Sequence, residues 1–159
     1  MIQIREGKRE DLIQVLELIK ELAAYEKALP EVNNTVALME ADGFGSNPCF
    51  GFFVAEDANI IKGISLYYYR YSTWKGKRLY LEDIIVTEQA RGLGIGMKLF
   101  EQTMKLSLEQ NCTGMMWQVL DWNEPAIEFY KKYNAKMDGE WINCHLESSE
   151  IQLLLEKRD

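Results

Sequence analysis

The stretch Leu79 to Glu101, LYLEDIIVTEQARGLGIGMKLFE, sets two kinds of chemistry side by side. An apolar run from Leu79 to Val86 is broken only by Glu82 and Asp83. An acid in such a run must point outward or find a partner, because an unpaired buried charge is costly. Strand alternation puts Asp83 on the face opposite Glu82, as a scaffold residue. The glycine-dense turn Arg91-Gly92-Leu93-Gly94-Ile95-Gly96 follows, and then a helical pattern with Met97, Phe100, Met104 and Leu108 on one stripe. Free N–H groups at a helix start, and the helix dipole, favour an anion there. Glycine lets backbone approach a ligand closely and adopt positive φ. Arg91 adds positive charge near a diphosphate. The stretch therefore predicts a pyrophosphate-holding turn with two carboxylates just upstream.

The surrounding elements must position these groups. Ile2 and Ile4 alternate with polar residues as a short first strand. From Asp11 to Tyr25 the period is helical, with Leu12, Val15, Leu16, Ile19, Leu22 and Ala23 on one face and Pro30 as the stop. Thr35 to Asp42 predicts a second helix closed by Gly43-Phe44-Gly45. Cys49–Glu56 and Ile60–Tyr71 are rich in aromatic and β-branched residues and read as strands joined at Asp57-Ala58-Asn59. With Leu79–Val86 they form an antiparallel meander. After the glycine turn a helix runs from about Ile95 to Gln110, and Met115–Leu120 reads as a buried strand. Asn123 caps a further helix with Pro125 in its first turn and Ala126, Ile127, Tyr130 and Tyr133 along it. Two closing strands are expected near Trp141–Leu146 and Ile151–Leu155. The layout is α+β: one domain over residues 1–159, with a mixed, largely antiparallel central sheet and helices on both faces.

Bulk properties exclude several functions. With 159 residues, 47% of them hydrophobic, the chain can bury a core of one domain. A net charge of −7 disfavours nucleic acid and is compatible with a cationic small substrate. No apolar run approaches the ~20 residues of a membrane span, and MIQIREGKRE has no apolar signal core, so a cytoplasmic protein is expected. Cys49, Cys112 and Cys144 lack zinc spacing, Cys112 has no activating basic neighbour, and His145 has no marked nucleophile to serve. No metal is predicted. A dinucleotide fingerprint is the competing reading of the turn. Against it, the glycines fall at 92, 94 and 96, leaving Met97 at the third glycine position, and the turn follows a meander rather than an N-terminal βαβ unit.

Arg91-Gly92-Leu93-Gly94-Ile95-Gly96 resembles the R-G-x-G-x-G/A pyrophosphate turn of the GNAT acetyltransferases. Asp121-Trp122-Asn123-Glu124-Pro125-Ala126-Ile127-Glu128-Phe129-Tyr130 is similar to that family's second signature. Tyr25-Glu26, Asp42-Gly43-Phe44-Gly45 and Tyr80-Leu81-Glu82-Asp83 resemble the spermidine/spermine N-acetyltransferase subfamily. Tyr71-Ser72-Thr73-Trp74-Lys75-Gly76 and Val119-Leu120-Asp121-Trp122-Asn123 resemble its thialysine branch more closely, and Ser72 stands where polyamine-specific members tend to carry an acid.

The resemblance implies acetyl transfer from acetyl-CoA to a small amine, with a catalytically silent acyl-CoA-binding or regulatory module and a protein lysine or N-terminal acetyltransferase as the alternatives. An alkylammonium, pKa ~10.4, must lose a proton before it attacks. Glu82 is the expected acceptor, through water, and matches the subfamily's substrate-contacting Glu. Backbone N–H groups at Ile84, Ile85 and Val86 could polarise the carbonyl, and by resemblance they pair with the pantetheine arm. Arg91, Gly92, Leu93, Gly94, Ile95, Gly96 and Met97 would hold pyrophosphate, and Asn123, Pro125, Ala126 and Tyr130 would also meet the cofactor. Tyr130 fits a phenol donating to the leaving thiolate, or a core tyrosine. Tyr25, Glu26, Met116, Trp117 and Gln118 match substrate positions, and Trp74 is either a cation–π face or a turn aromatic packed on the sheet. Relatives in the subfamily are homodimers, so the resemblance implies one here. Direct transfer in a ternary complex is expected, since no cysteine is poised to carry the acetyl group.

Overall fold

The computed structural model describes residues 1–156. The elements in chain order are β1 (Gln3–Glu6), α1 (Leu12–Tyr25), α2 (Val36–Phe44), β2 (Gly51–Asp57), β3 (Ile60–Ser72), β4 (Gly76–Val86), α3 (Ile95–Glu109), β5 (Met115–Met116), α4 (Glu124–Lys131) and α5 (Ser148–Glu156). They fall into two compact units, Met1–Gln118 and a second beginning at Val119.

The first unit holds a five-stranded sheet in the order β1-β2-β3-β4-β5. β1 to β4 pair antiparallel, and β5 joins β4 in parallel. The β2–β3 hairpin turns on Ala58 and Asn59, both with positive φ (49° and 65°). This left-handed conformation matches the twist of the paired strands.

Strand alternation divides the core into two layers. On one face Phe52, Val54, Ile64, Leu66 and Ile85 pack with Leu12, Val15 and Leu16 of α1 and Met39 of α2. On the other, Phe53, Ala55 and Leu79 pack with Ile95, Leu99 and Leu106 of α3. Burying these faces supplies the main driving force for folding. One polar cluster ties β1 to β2 and to the chain entering α1: Arg5 binds both carboxylate oxygens of Asp11 (2.7 and 2.9 Å) and also Glu56. Burial alone would raise the Asp11 pKa; the Arg5 fork and the Lys8 N–H hold it below its ordinary value.

Several expectations need correction. Pro30 does not stop α1. The helix ends at Tyr25, with Lys27 at φ 60°, and Pro30 opens a separate single turn, Leu29–Glu31. In α3 the buried stripe is Ile95, Leu99, Phe100, Thr103, Leu106 and Ser107, while Met97 and Leu108 are exposed. Thr103 enters the core because its hydroxyl donates to the Leu99 carbonyl and bonds the Ser65 hydroxyl, each at 2.9 Å. The strand expected over Met115–Leu120 covers only Met115–Met116. No strand forms at 141–146, and the expected strand at 151–155 is α5. Glu150 accepts from the Glu147 N–H at 2.7 Å, half of a capping box, which favours a helix start over an extended run.

Candidate active site

The pairing of β3 with β4 contains the feature that shapes the site. Tyr67 lies opposite Leu81, but Leu66 lies opposite Asp83, so Glu82 is an extra residue on β4. Such a bulge breaks the side-chain alternation of a strand. Leu79 belongs to the α3 face, yet beyond the bulge Ile84 and Val86 take that face and Ile85 the α1 face. Asp83, opposite the α1-facing Leu66, is therefore on the α1 side with Glu82. Asp83 does not turn to the face opposite Glu82, as unbroken alternation predicts, because the bulge resets the alternation between them.

Glu82 is exposed and accepts a 3.1 Å hydrogen bond from the Tyr68 hydroxyl. The Tyr68 ring stacks on Tyr80, with centroids 5.1 Å apart and planes at 28°. Burial, and then the negative charge of Glu82, push the Tyr68 phenol up to about 12, so it stays a donor to the carboxylate. Asp83 is half-buried. Its pKa is pushed up to about 6, first by burial, then by the charges of Glu82 and Glu26. Glu26, the residue that closes α1, is itself raised by burial. The end of α1 thus meets the bulge of β4, and three carboxylates share one field. One of them ionises in the range suited to proton transfer near neutral pH.

The same helix end reaches the glycine turn. The Arg91 guanidinium lies 5.5 Å from the Tyr25 ring centroid, and its Nε donates to the Val86 carbonyl at 3.2 Å. Gly92 and Gly94 have φ of 78° and 73°. A Cβ at Gly92 would meet nothing within 4 Å, and one at Gly94 only the tip of Met97 at 4.0 Å. Glycine is needed here for conformation and openness, not for tight protein packing. Gly94 caps α3, and the Lys98 N–H is bound to the Gly94 carbonyl at 3.2 Å. The N–H groups of Ile95, Gly96 and Met97 precede that first helical bond, in the position that suits a phosphate. β5 pairs with β4 only at Leu79 and Tyr80. Among the described residues, Leu81–Val86 has no strand partner on that edge.

The remaining candidates divide. Met116 lies beside Tyr80 in the parallel register, and Trp117 packs edge-on against Phe100 with centroids 5.2 Å apart. Gln118 is exposed at the end of the first unit. Trp74 stands 86% exposed on the β3–β4 turn, so it does not pack on the sheet. In the second unit, Asn123 caps α4 by accepting from the Ala126 N–H at 3.4 Å, with Pro125 in the first turn. Tyr130 is buried, and its ring meets Phe129 at 5.3 Å. Three residues that the sequence analysis did not single out lie with this cluster: Tyr68, Tyr80 and Arg70. Their signal was available: Tyr68 and Arg70 continue the even-numbered face of Ile64 and Leu66.

A sequence model described as the acetyltransferase (GNAT) family matches residues 14–135, more than half of the chain. The chain belongs to the GNAT acetyltransferase family. A thialysine N-epsilon-acetyltransferase of Bos taurus is 40% identical over 143 residues, covering 85% of this chain and 84% of that protein. A spermidine/spermine N(1)-acetyltransferase-like protein of Homo sapiens is 37% identical over 140 residues, covering 84% of this chain but 20% of that longer protein. In fold, this GNAT chain is similar to an aminoglycoside N-acetyltransferase solved in complex with CoA, with a TM-score of 0.74 at 16% identity over 92% and 95% of the two chains. The protein is an N-acetyltransferase of α+β fold. Among the described residues, no helix is long and apolar enough to cross a membrane.

Proposed function

We propose that this GNAT enzyme moves an acetyl group from acetyl-CoA to a primary amine of a small cationic substrate, thialysine- or polyamine-like, by direct transfer in a ternary complex. The observation that carries the reading is the gathering of Glu26, Glu82 and Asp83 beside an open glycine turn at a helix start. The similarity to a thialysine acetyltransferase over most of both chains supports this substrate class. The matched region, 14–135, spans both units, which supports one catalytic domain.

The residues of the turn fit a pyrophosphate: positive-φ glycines, open space where a Cβ would stand, N–H groups of a helix start, and Arg91 beside them. Acetyl-CoA would supply an activated thioester there. Ile84, Ile85 and Val86 form a backbone edge for an extended arm. The Thr87 N–H is bound to the Lys62 carbonyl of β3, so strand alternation turns the N–H groups of Ile84 and Val86, rather than that of Ile85, to the open edge, where they suit the negative charge that develops on the carbonyl oxygen. Glu82 and Asp83 act as a pair that attracts the ammonium and takes its proton, through water at Glu82. Tyr25 and Glu26 border the amine, with Met116, Trp117 and Gln118 on the β5 side. Asn123, Pro125 and Ala126 start the helix that bears Tyr130, whose phenol gives a proton to the departing thiolate. The enzyme acts in the cytoplasm as a homodimer, a reading supported by the family resemblance and by exposed Ile151, Leu153, Leu154 and Leu155 on α5.

Tyr130→Phe tests the reaction type. It should bind CoA with wild-type affinity by calorimetry while kcat falls by ~10²- to 10⁴-fold, the range of general acid catalysis. Unchanged turnover would remove Tyr130 from the mechanism.

A further inference from the structure

We infer that Arg70 anchors the carboxylate of an amino-acid substrate, so that the site selects a diamino acid over the corresponding diamine or polyamine. This rests on the amine-acetyltransferase reading above and narrows it.

Arg70 lies on the same face of β3 as Tyr68, and the ladder places Tyr68 opposite Tyr80 and Arg70 opposite Arg78. The two residues of separation put Arg70 roughly 7 Å along the strand from Tyr68. Its guanidinium sits 5.8 Å from the Tyr80 ring centroid. Burial raises both the Tyr68 and Tyr80 phenols, the charge of Glu82 raises them further, and the charge of Arg70 pulls the other way. The two tyrosine rings therefore lie in the fields of a cation and an anion on one sheet face. Arg70 is exposed and has no carboxylate partner among the described residues. Arg78, its neighbour across the ladder, is engaged instead, donating to the Thr113 and Met115 carbonyls at 3.3 Å each.

An arginine held over an aromatic ring presents a planar fork of donors suited to a carboxylate. A lysine-length substrate carries an ammonium at the end of a flexible stem and a carboxylate at the other. With the ammonium at Glu82 and Asp83, the stem can run over Tyr68 and Tyr80 and bring the carboxylate to Arg70. A diamine or polyamine in the same pose brings an ammonium to Arg70 without the carboxylate that, in an amino acid, accompanies the α-ammonium and offsets its repulsion, so like charges in apposition discriminate against it.

The test is steady-state kinetics on matched pairs: thialysine against bis(2-aminoethyl) sulfide, and lysine against cadaverine. Wild-type enzyme should favour the carboxylated member of each pair by at least ~10-fold in kcat/KM. Arg70→Ala should raise KM for thialysine by ~10- to 100-fold, the loss of a charge-assisted bidentate contact, with the loss carried in KM rather than kcat. The ratio within each pair should narrow toward one, and Arg70→Lys should restore part of it. Wild-type enzyme that acetylates both members equally, or an Arg70→Ala variant that loses both alike, overturns the role of Arg70 alone. Acetyl-CoA binding with no turnover of any of the four amines overturns the acetyltransferase reading as well.

Discussion

Gly94→Val should abolish measurable CoA binding while leaving a folded protein. Gly94 sits at φ 73° and caps α3. A β-branched residue in that left-handed conformation costs ~1–2 kcal/mol or more in backbone strain. The strain alone would only lower the melting temperature by a few degrees for a domain of this size. The larger effect is steric. The space around Gly94 is empty of protein apart from the tip of Met97 at 4.0 Å. Valine would place its two methyl groups where the backbone must come close to a pyrophosphate, and would tilt the first N–H groups of α3. Calorimetric titration with CoA, alongside circular dichroism, checks both halves. Intact binding in a folded variant would contradict the phosphate-holding role of the turn.

Asp83→Asn should make the protein more stable and less active, and pH should separate the two effects. Burial, with the charges of Glu82 and Glu26, raises the Asp83 pKa from an ordinary 3.8 to about 6. The folded state therefore holds this proton more tightly than the unfolded chain does. Stability associated with the protonated carboxyl is complete below pH 3.8 and is lost as pH rises through about 6. Asparagine does not titrate. The stability gap between variant and wild type should be near zero at pH 3.5, open between pH 4 and 6, and stay level above that. Two pKa units correspond to ~3 kcal/mol as an upper bound, so a gain of ~1–3 kcal/mol at pH 8 is expected from denaturant unfolding. Over the same window wild-type kcat/KM should rise with pH as the carboxylate becomes able to accept a proton, and the variant should lose that limb and most of its rate. A stability gap that does not vary with pH would contradict the buried position of Asp83.

Much of this was legible in the sequence, and what was not has physical causes. β2, β3 and β4 were readable because their aromatic and β-branched runs are bounded by turn residues. The turn at Gly92–Gly94 was readable because only glycine occupies its conformation cheaply. The bulge at Glu82 was not, since an inserted residue leaves no mark in composition and is set by pairing with β3. It places Asp83 on the same sheet face as Glu82. The apolar stripe of α3 was misplaced because Thr103 and Ser107 are buried while Leu108 is exposed. Hydropathy does not see the bond from Thr103 to Ser65. The end of the chain failed for another reason. Ile151-Gln152-Leu153-Leu154-Leu155 is apolar enough for either strand or helix, and the cap at Glu147 and Glu150 decides it.

The most direct test of the central claim is the product formed by wild-type enzyme from acetyl-CoA and thialysine at neutral pH. Mass spectrometry should find a single acetyl group on the side-chain amine, with one free CoA thiol released for each product formed. Binding of acetyl-CoA without consumption of thialysine, lysine, spermidine, spermine or putrescine at millimolar concentration would contradict it.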